Sequence, residues 1–392
     1  MDTDIVIAGG GPAGLAAAIA LGTEGKRVTV LDPAPPARDG DDPSADIRST
    51  AVLRPGRDLI DRAGAWEAVR DHAEPLWVMR ILDAGVTPPA MRDFRATDVG
   101  DDPFGWNLPN WRIRDALATR AEALETVHLR MGTGYASHVA RDDRVRVRTR
   151  DGGRIDAALL IGADGRESGV RRNAGIDART TEYGQTAIVF TVTHDAPHEG
   201  VSTEVYRTGG AFTLVPMPGD EMGRHRSAVV WMDRAAAHAR RVDLSDAALS
   251  AEATDRAAGA LGPLTVSSRR ATWPIILRVA DRMTAKRTAL MAEAAHAMPP
   301  IGAQGLNTSL TDALALRDLC GDAADPGASG VLSSYDRARA RDVRLRAAAV
   351  DALNRVALSG FGPVQRLRAG VMQTLHRAAP VRRGLMRAGL GG

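Results

Sequence analysis

The sequence predicts an α/β fold in which a Rossmann-like nucleotide-binding domain is interleaved with a β-sheet domain and followed by C-terminal helices. Three features support this: a glycine-rich strand–turn–helix unit at the N-terminus, two β-rich stretches near 70–108 and 184–280, and a second glycine-rich turn over 292–307. With 392 residues, of which 44% are hydrophobic, the chain is long enough to bury the cores of two such domains.

The N-terminal unit begins with an apolar strand over 5–8, which runs into the turn Gly9-x-Gly11-x-x-Gly14 and an Ala/Leu-rich helix over 13–21. Gly9 permits the tight turn, Gly11 lets the backbone approach a pyrophosphate, and Gly14 lets the helix pack on the strand. A second strand ends at an acidic residue, 32 − 14 = 18 positions past the last glycine, which would bind ribose hydroxyls. The predicted dinucleotide contacts are Gly9, Gly11, Pro12, Ala13, Gly14 and Asp32.

The stretch 292–307, AEAAHAMPPIGAQGLN, joins the end of a buried strand over 288–291 to the start of a helix near Leu306. Free N–H groups at such a helix start favour negative charge, which a reduced flavin ring carries near N1 and O2. The stretch therefore predicts a flavin pocket, although an ordinary strand-to-helix turn is the alternative. His296 is interpreted as a hydrogen-bonding residue that shapes the turn. The candidate contacts are Glu293, Pro300, Gly302, Gln304, Gly305, Leu306 and Asn307.

A third motif lies between these two, where an apolar strand over 157–161 is followed by Gly162-Ala163-Asp164-Gly165. It continues to Ser168 and Arg171, which completes the spacing DGxxSxxR. Asp164 and Gly165 are candidate cofactor contacts, and a plain turn at the strand end is the alternative.

The order of the three motifs resembles the single-component FAD-dependent aromatic hydroxylases, and the resemblance covers nearly the whole chain. Within that family the chain looks most like the ubiquinone-biosynthesis hydroxylases of the UbiH/UbiF type. This resemblance rests on three segments of the sequence: PPIGAQGLN at Pro299–Asn307, FGWNLPN at Phe104–Asn110, and Tyr335 and Arg339 followed by LRAGVMQTLHRAAPVRRGLMRAGLG. Two departures stand out: Ala292-Glu293 replaces the family's Gly-Asp, and Ala303 replaces a glycine before the glutamine.

The resemblance implies FAD as cofactor, with its ADP half on the first motif and its ribityl chain and ring on the last. Asp164-Gly165 would contact FAD and take part in nicotinamide binding, while Glu293 would reach the ribityl chain from a retracted position. Arg48, in a helix predicted from there towards Trp66, would contact the FAD region or the nicotinamide donor; a solvated surface pair is the alternative. Asn110, before a predicted helix over 111–124, would touch FAD or serve only as an N-cap.

The implied activity is that of an FAD-dependent monooxygenase acting with O2 through a flavin C4a-hydroperoxide, which needs no histidine. Its substrate would be the aromatic ring of a polyprenylated ubiquinone precursor, a polyprenyl-phenol or quinone precursor, and NAD(P)H or a redox protein would supply electrons. No catalytic side chain is predicted. The alternatives are a hydroxylase of soluble phenols and a non-catalytic member of a ubiquinone-biosynthesis complex.

The predicted FAD-binding domain is discontinuous and comprises 1–70, 109–180 and 281–360, while 71–108 and 181–280 form the substrate domain. Strands are predicted there at 77–82, 187–193, 211–215 and 227–232. A crevice between sheet and flavin would hold the substrate ring. The aromatic residues that could line it are Trp106, Phe212, Trp231 and Trp273.

Composition argues against several other classes. Only Lys26 and Lys286 are lysines among 51 basic residues, so 51 − 2 = 49 are arginines, yet the net charge is only +3 and no nucleic-acid partner is predicted. The lone Cys320 and the absence of a metal-ligand cluster or a long apolar run fit a cytoplasmic enzyme without a metal.

The C-terminal segment 361–392 is predicted to be basic and helical, with Leu367, Val371 and Leu375 on one face. Residues 337–392 hold 12 arginines against Asp342 and Asp351, a balance of 12 − 2 = +10, so the rest of the chain carries 3 − 10 = −7. Docking of this segment on the FAD domain is the first interpretation, and the charge asymmetry supports the alternative, peripheral contact with an anionic inner membrane or a partner.

Overall fold

The computed structural model describes residues 3–207, 209–358 and 378–390. Its first sheet is the predicted nucleotide-binding sheet, with six strands in the order β19-β20-β12-β1-β2-β8, parallel except for the short hairpin β19–β20 at one edge. The strands are β1 (Ile5–Ala8), β2 (Val28–Asp32), β8 (Val127–Met131), β12 (Leu159–Gly162), β19 (Thr284–Ala285) and β20 (Thr288–Leu290).

Strands β1, β12 and β20 are buried along their whole length, as continuous apolar runs in parallel sheets are. Helices cover this sheet and form the main core with it. They are α1 (Pro12–Thr23), α2 (Arg54–Arg62), α3 (Asn110–Glu122), α4 (Gly169–Asn173), α7 (Ala292–Ala295), α8 (Gln304–Cys320) and α9 (Ser329–Leu358).

The second large sheet is mostly antiparallel, in the order β21-β18-β13-β16-β15-β14-β5-β6, with β17 paired to β13. One face packs on α5 (Ala235–Val242) and α6 (Asp246–Arg256), two helices that the sequence analysis did not anticipate. The strands are β5 (Val78–Asp83), β6 (Ala90–Arg95), β13 (Ala178–His194), β14 (Val201–Tyr206), β15 (Ala211–Met217), β16 (His225–Arg234), β17 (Thr265–Val266), β18 (Ala271–Ala280) and β21 (His296–Ala297).

Two three-stranded sheets complete the architecture, in the orders β3-β7-β4 and β11-β10-β9. Their strands are β3 (Ser49–Leu53), β4 (Glu74–Leu76), β7 (Gly105–Pro109), β9 (Tyr135–Ala140), β10 (Val145–Thr149) and β11 (Arg154–Ala157). The predicted α/β class is confirmed, and the four strands predicted in the substrate domain are present: β13, β15 and β16 are longer than predicted, and β5 is displaced by one residue.

Two predicted helix boundaries were wrong. The chain forms β3 after Arg48 because residues 49–53 pair with β7, and the helix begins only at Arg54, with a proline in its first turn. Helix α3 begins at Asn110, so its N-cap is Pro109 and the Asn110 side chain caps nothing. That side chain is available for contacts at the start of the helix.

The predicted face Leu367, Val371 and Leu375 lies outside the described residues. Beyond it, Ala379–Leu390 forms a C-terminal helix whose Arg382 pairs with Asp98 at 3.0 Å, a contact within the chain itself. No helix among the described residues is long and apolar enough to cross a membrane.

Candidate functional site

A cavity of about 830 Å³ lies between the N-terminal turn, the Asp164 motif, the third motif and one face of the second sheet. It is therefore lined by backbone from all three motifs and by side chains of the large antiparallel sheet. The cavity lies beside the second sheet, where the sequence analysis expects a crevice.

The three glycines of the first motif differ in what surrounds their Cα atoms. A Cβ on Gly14 would lie 2.0 Å from the Gly9 carbonyl oxygen, and one on Gly9 would lie 2.1 Å from the Ala163 carbonyl oxygen. Both glycines therefore allow close packing of protein on protein. A Cβ on Gly11 would meet nothing within 4 Å, although Gly11 lines the cavity together with Pro12, Ala13 and Gly14. Open space at this glycine is what the approach of a pyrophosphate requires.

Asp32 stands at the end of β2, beside this turn. Its carboxylate accepts hydrogen bonds from the Gly10 amide at 2.7 Å and the Ala34 amide at 3.0 Å, and Arg114 Nη2 lies 3.1 Å away. The acid is thus held in place next to the turn by backbone and by a cation, although its side chain does not line the cavity.

In the middle motif, Gly165 lines the cavity but Asp164 does not. The Asp164 carboxylate accepts from the Ser168 hydroxyl and from the Val170 amide at 3.1 Å, while Ser168 in turn caps α4. Asp164 therefore fixes the strand-to-helix turn that presents Gly165, which has a φ of 82°.

A buried charge network holds the third motif. Asp312 on α8 accepts from His296 Nε2 at 2.7 Å, Arg339 Nε at 2.7 Å and the Ala292 amide at 3.0 Å. Burial alone would raise the pKa of Asp312, but His296 and Arg339 outweigh it and hold that pKa below its ordinary value. The structural role predicted for His296 agrees with this geometry, and Tyr335, hydrogen-bonded to the Leu290 carbonyl, packs behind it.

Both departures from the family pattern stand in left-handed backbone. Ala292 has a φ of 54° and Ala303, the N-cap of α8, has a φ of 56°. Glycine adopts these conformations without strain, whereas alanine adopts them at an energetic cost.

Glu293 lines the cavity with its side chain 45% exposed, and its Oε2 lies 3.6 Å from Arg166 Nε. The longer acid therefore lies at the cavity wall, and its contact with a ribityl chain stays a prediction. Arg166, which also lines the cavity, is a neighbour that the sequence analysis did not identify.

The predicted residues of the third motif divide into two groups. Asn307 lies outside the cavity lining: it accepts from the Leu53 amide at 2.8 Å and donates to the Ala51 and Ala303 carbonyls, so it ties α8 to β3. The side-chain oxygen of Gln304 accepts a hydrogen bond from Arg346 Nη1 at 2.8 Å. The residues that do line the cavity are Pro300, Gly302, Gln304, Gly305 and Leu306.

Arg48 and Asn110 meet at the cavity wall through Asp46, which the sequence analysis missed. Arg48 Nη2 lies 2.7 Å from Asp46, whose carboxylate also accepts from Asn110 Nδ2 at 3.0 Å. The Arg48 guanidinium lies 4.9 Å from the ring centroid of Trp273. All four residues line the cavity, so the pair that Arg48 forms with Asp46 stands at the cavity wall with its side chains about a third exposed.

Only one of the four predicted aromatic residues lines the cavity, namely Trp273. Phe212 and Trp231 pack together on the opposite face of the sheet, against the core under α6. Trp106 packs edge-on against Trp66, with ring centroids 5.6 Å apart. Side chains alternate between the two faces of a strand, so an aromatic residue one position away from a cavity-facing residue points into the core.

The cavity-facing side of the second sheet carries one group that sequence reasoning missed, the carboxyl of Glu204 on β14. Glu204 is 8% exposed and accepts a hydrogen bond from Tyr206 Oη at 2.8 Å. The period-two pattern Ser202, Glu204, Tyr206 in the strand was the available signal, since all three side chains line the cavity.

The residues of this site fit FAD. A Cβ on Gly305, as on Gly11, would meet nothing within 4 Å, and both glycines line the cavity at the start of a helix. Helix starts with open glycine backbone bind phosphate and other negatively charged groups. Among the described residues no cluster of His, Cys, Asp or Glu could hold a metal ion.

Comparison with known proteins agrees with this geometry. The family model described as an FAD binding domain matches residues 2–349. The chain is 33% identical to a ubiquinone hydroxylase, UbiL, of Rhodospirillum rubrum, over 99% of this chain and 89% of that protein. It is 27% identical to the 3-demethoxyubiquinol 3-hydroxylase of Escherichia coli, over 99% of this chain and 98% of that protein.

Among solved structures, the fold matches p-nitrophenol 4-monooxygenase PnpA from Pseudomonas putida with a TM-score of 0.79. That match covers 100% of this chain and 98% of the other at 22% identity, which supports the fold.

Proposed function

The chain belongs to the FAD-binding-domain family of flavoprotein monooxygenases, and from this we propose that it hydroxylates the aromatic ring of a polyprenylated ubiquinone precursor. Relatives named ubiquinone hydroxylases match it over nearly its whole length, which supports an activity on the same class of substrate.

The observation that carries the proposal is the composition of the cavity beyond the flavin motifs. Its wall on the second sheet is mainly apolar, and it extends to Leu353 and Val356 of α9 and to Met386 and Gly389 of the C-terminal helix. Leu353 is 48% exposed. An apolar extension of the cavity away from the flavin motifs suits a ring that carries a long prenyl chain, because the chain needs an apolar lining.

FAD, when bound, supplies the redox chemistry that activates dioxygen. We propose that Gly9, Gly11, Pro12, Ala13, Gly14 and Asp32 hold its ADP half. Glu293 and the turn from Pro300 to Leu306 would hold the ribityl chain and the ring, and Gly165, Arg48 and Asn110 would border them. Asp164 and Asn307 would fix the two turns through their hydrogen bonds to neighbouring backbone.

Two further assignments complete the proposal. NAD(P)H, or alternatively a redox protein, would supply electrons, and the substrate domain would comprise 71–108 and 181–280 between the three FAD-domain segments 1–70, 109–180 and 281–360. Stopped-flow reduction of the purified holoenzyme by NADH and NADPH tests the first assignment. Absence of reduction by either nucleotide would favour the redox protein.

Metabolite analysis of a deletion strain tests the reaction itself. We expect a ubiquinone precursor that lacks one ring hydroxyl to accumulate, and the missing hydroxyl identifies the carbon that is oxidised. Normal ubiquinone in that strain, together with turnover of a small soluble phenol by the purified protein, would support the soluble-phenol alternative. A colourless protein that never binds FAD would support the non-catalytic one.

A further inference from the structure

Six neighbouring strands of the second sheet, β6, β5, β14, β15, β16 and β13, contribute to the cavity wall, and their pairing defines which residues lie side by side. One row of residues runs straight across this wall, each residue paired with the next on the neighbouring strand. Every member of the row lines the cavity. In spatial order the row is Arg92, Ile81, Glu204, Thr213, Val230 and Val189.

Glu204 is the one carboxylic acid in this row. Its neighbours on either side are Ile81 and Thr213, and beyond Thr213 the row continues with valines. The one hydrogen bond made to its side chain by the described residues comes from Tyr206. Burial raises the pKa of Glu204, and the hydrogen bond from Tyr206 opposes this only in part.

A carboxyl group in such a place costs stability. A buried polar group is unfavourable unless its hydrogen bonds are satisfied, and a carboxyl has more capacity than one tyrosine hydroxyl uses. A carboxyl that served only the fold would therefore be expected to have further protein partners. Glu204 is instead aimed, with Tyr206, into a cavity whose other end is built from the flavin motifs.

We propose that Glu204, supported by Tyr206, is the hydrogen-bonding anchor for a hydroxyl group on the aromatic ring of the substrate. The inference rests on the proposed function, because it places a ring in this cavity. A hydroxyl held at one point of a mainly apolar wall limits how the ring can turn, and so limits which ring carbon faces the third motif. Asp83 on β5 and Arg92 on β6 are the other ionisable groups that neighbouring strands present to this wall.

Ligand binding to the oxidised holoenzyme tests this without any turnover. The probes are a phenol that carries one geranyl chain and the methyl ether of the same phenol, and each Kd is read from the change in the visible flavin spectrum. A lost hydrogen bond to a buried polar group lowers affinity about tenfold or more. We expect the wild type to bind the phenol at least about tenfold more tightly than the ether.

Three variants make the result specific. Glu204→Leu should abolish the preference for the phenol, whereas Glu204→Gln, which keeps the shape and one acceptor, should retain part of it. Glu182→Gln is the matched control, since it removes an exposed carboxylate from β13 of the same sheet, and its preference should equal that of the wild type. The flavin-to-protein ratio and the melting temperature confirm that each variant is folded and loaded.

The outcomes separate this inference from the proposed function. Equal affinity of the wild type for both probes, no binding of either, or an unchanged preference in Glu204→Leu would overturn the anchor. If Glu204→Leu does not fold, the wild-type preference and the Glu204→Gln result decide the question. A strong preference that depends on Glu204, in an enzyme that hydroxylates no ubiquinone precursor, would retain the anchor and reject the proposed substrate.

Discussion

At the residue scale, glycines that look equivalent in the sequence separate by what a Cβ would meet. Gly14 is packed against the Gly9 carbonyl, while Gly11 faces open cavity. We expect Gly11→Arg to abolish FAD binding, because its side chain would occupy the pyrophosphate approach, and to leave the melting temperature of the apoprotein close to that of the wild type. Flavin absorbance and thermal denaturation of the apoprotein measure the two effects.

Gly14→Ala is the contrasting variant. Its Cβ would collide with backbone, so it should lower the melting temperature of the apoprotein itself. A wild-type protein that stays colourless and shows no thermal shift with added FAD would contradict the enzyme assignment as a whole.

The two alanines in left-handed backbone lead to a second residue-scale prediction. Ala292→Gly and Ala303→Gly should each stabilise the protein by about 0.5–1 kcal/mol, since the relief of left-handed strain exceeds the entropic cost of glycine. Chemical denaturation measures the change. Ala338→Gly, at an exposed position in α9, should do the opposite and cost about 1 kcal/mol. Destabilisation by all three substitutions would show that the two turns carry no strain.

The third residue-scale prediction concerns Glu293. Glu293→Ala should weaken FAD binding by about 1.5–3 kcal/mol, the range for a charge-assisted hydrogen bond, and Glu293→Asp should be tolerated far better. Titration of the apoprotein with FAD gives both affinities. Unchanged affinity in the alanine variant would mean that Glu293 only pairs with Arg166 and does not touch the ribityl chain.

At the element scale, the third motif is held by helices that lie behind it. Asp312 of α8 joins His296, Arg339 of α9 and the Ala292 amide, so the turn cannot move without breaking a buried network. We expect Asp312→Asn to cost about 3–5 kcal/mol of folding free energy, because the buried charge of Arg339 loses its fully buried carboxylate partner and keeps only the partly exposed Asp342. Denaturation monitored by circular dichroism measures this cost.

The same network sets a pH dependence. The pKa of Asp312 is lowered in the folded state, so its contribution is fully present above the unfolded-state pKa of about 3.9 and is lost as pH falls through the lower folded-state value. The stability difference between the wild type and Asp312→Asn should therefore shrink below about pH 4. A difference that stays constant from pH 7 to pH 3 would exclude a charged Asp312.

At the scale of the whole molecule, charge is distributed unevenly, with +10 over 337–392. Arg382 already pairs with Asp98, whereas Arg383 and Arg387 are exposed. We propose that the tail contacts an anionic membrane, with each arginine near the surface contributing about 1 kcal/mol at most and with the attraction screened by salt. Arg383→Gln with Arg387→Gln should release the protein from anionic liposomes and leave FAD absorbance intact.

Arg382→Gln separates docking within the chain from contact with a membrane. It should loosen the C-terminal helix, detected as faster proteolysis there, more than it weakens liposome binding. Failure of the wild type to bind anionic liposomes at low salt would assign the tail to packing on the chain itself.

The features that the sequence could predict are local ones. Strand, glycines and helix follow one another in the first motif, and the order of three such motifs identified the family, because each motif depends on backbone conformation within a few residues. The β-rich stretches likewise located four strands of the second sheet, β5, β13, β15 and β16, but neither its other strands nor α5 and α6.

The tertiary structure determined the features that depend on which face of an element a residue occupies and on which element packs or pairs with it. Residues after Arg48 form a strand because β7 is there to pair with them, and strand parity sends Trp231 to the core and Glu204 to the cavity. Asp164 and Asn307 match the family pattern, yet neither lines the cavity and both fix backbone turns. The sequence by itself thus determined the cofactor class and the fold, since those are encoded in short-range backbone patterns. Only the folded chain determined the cavity wall on the second sheet, because its row of residues combines strands from two separate stretches of the sequence, 78–95 and 178–234.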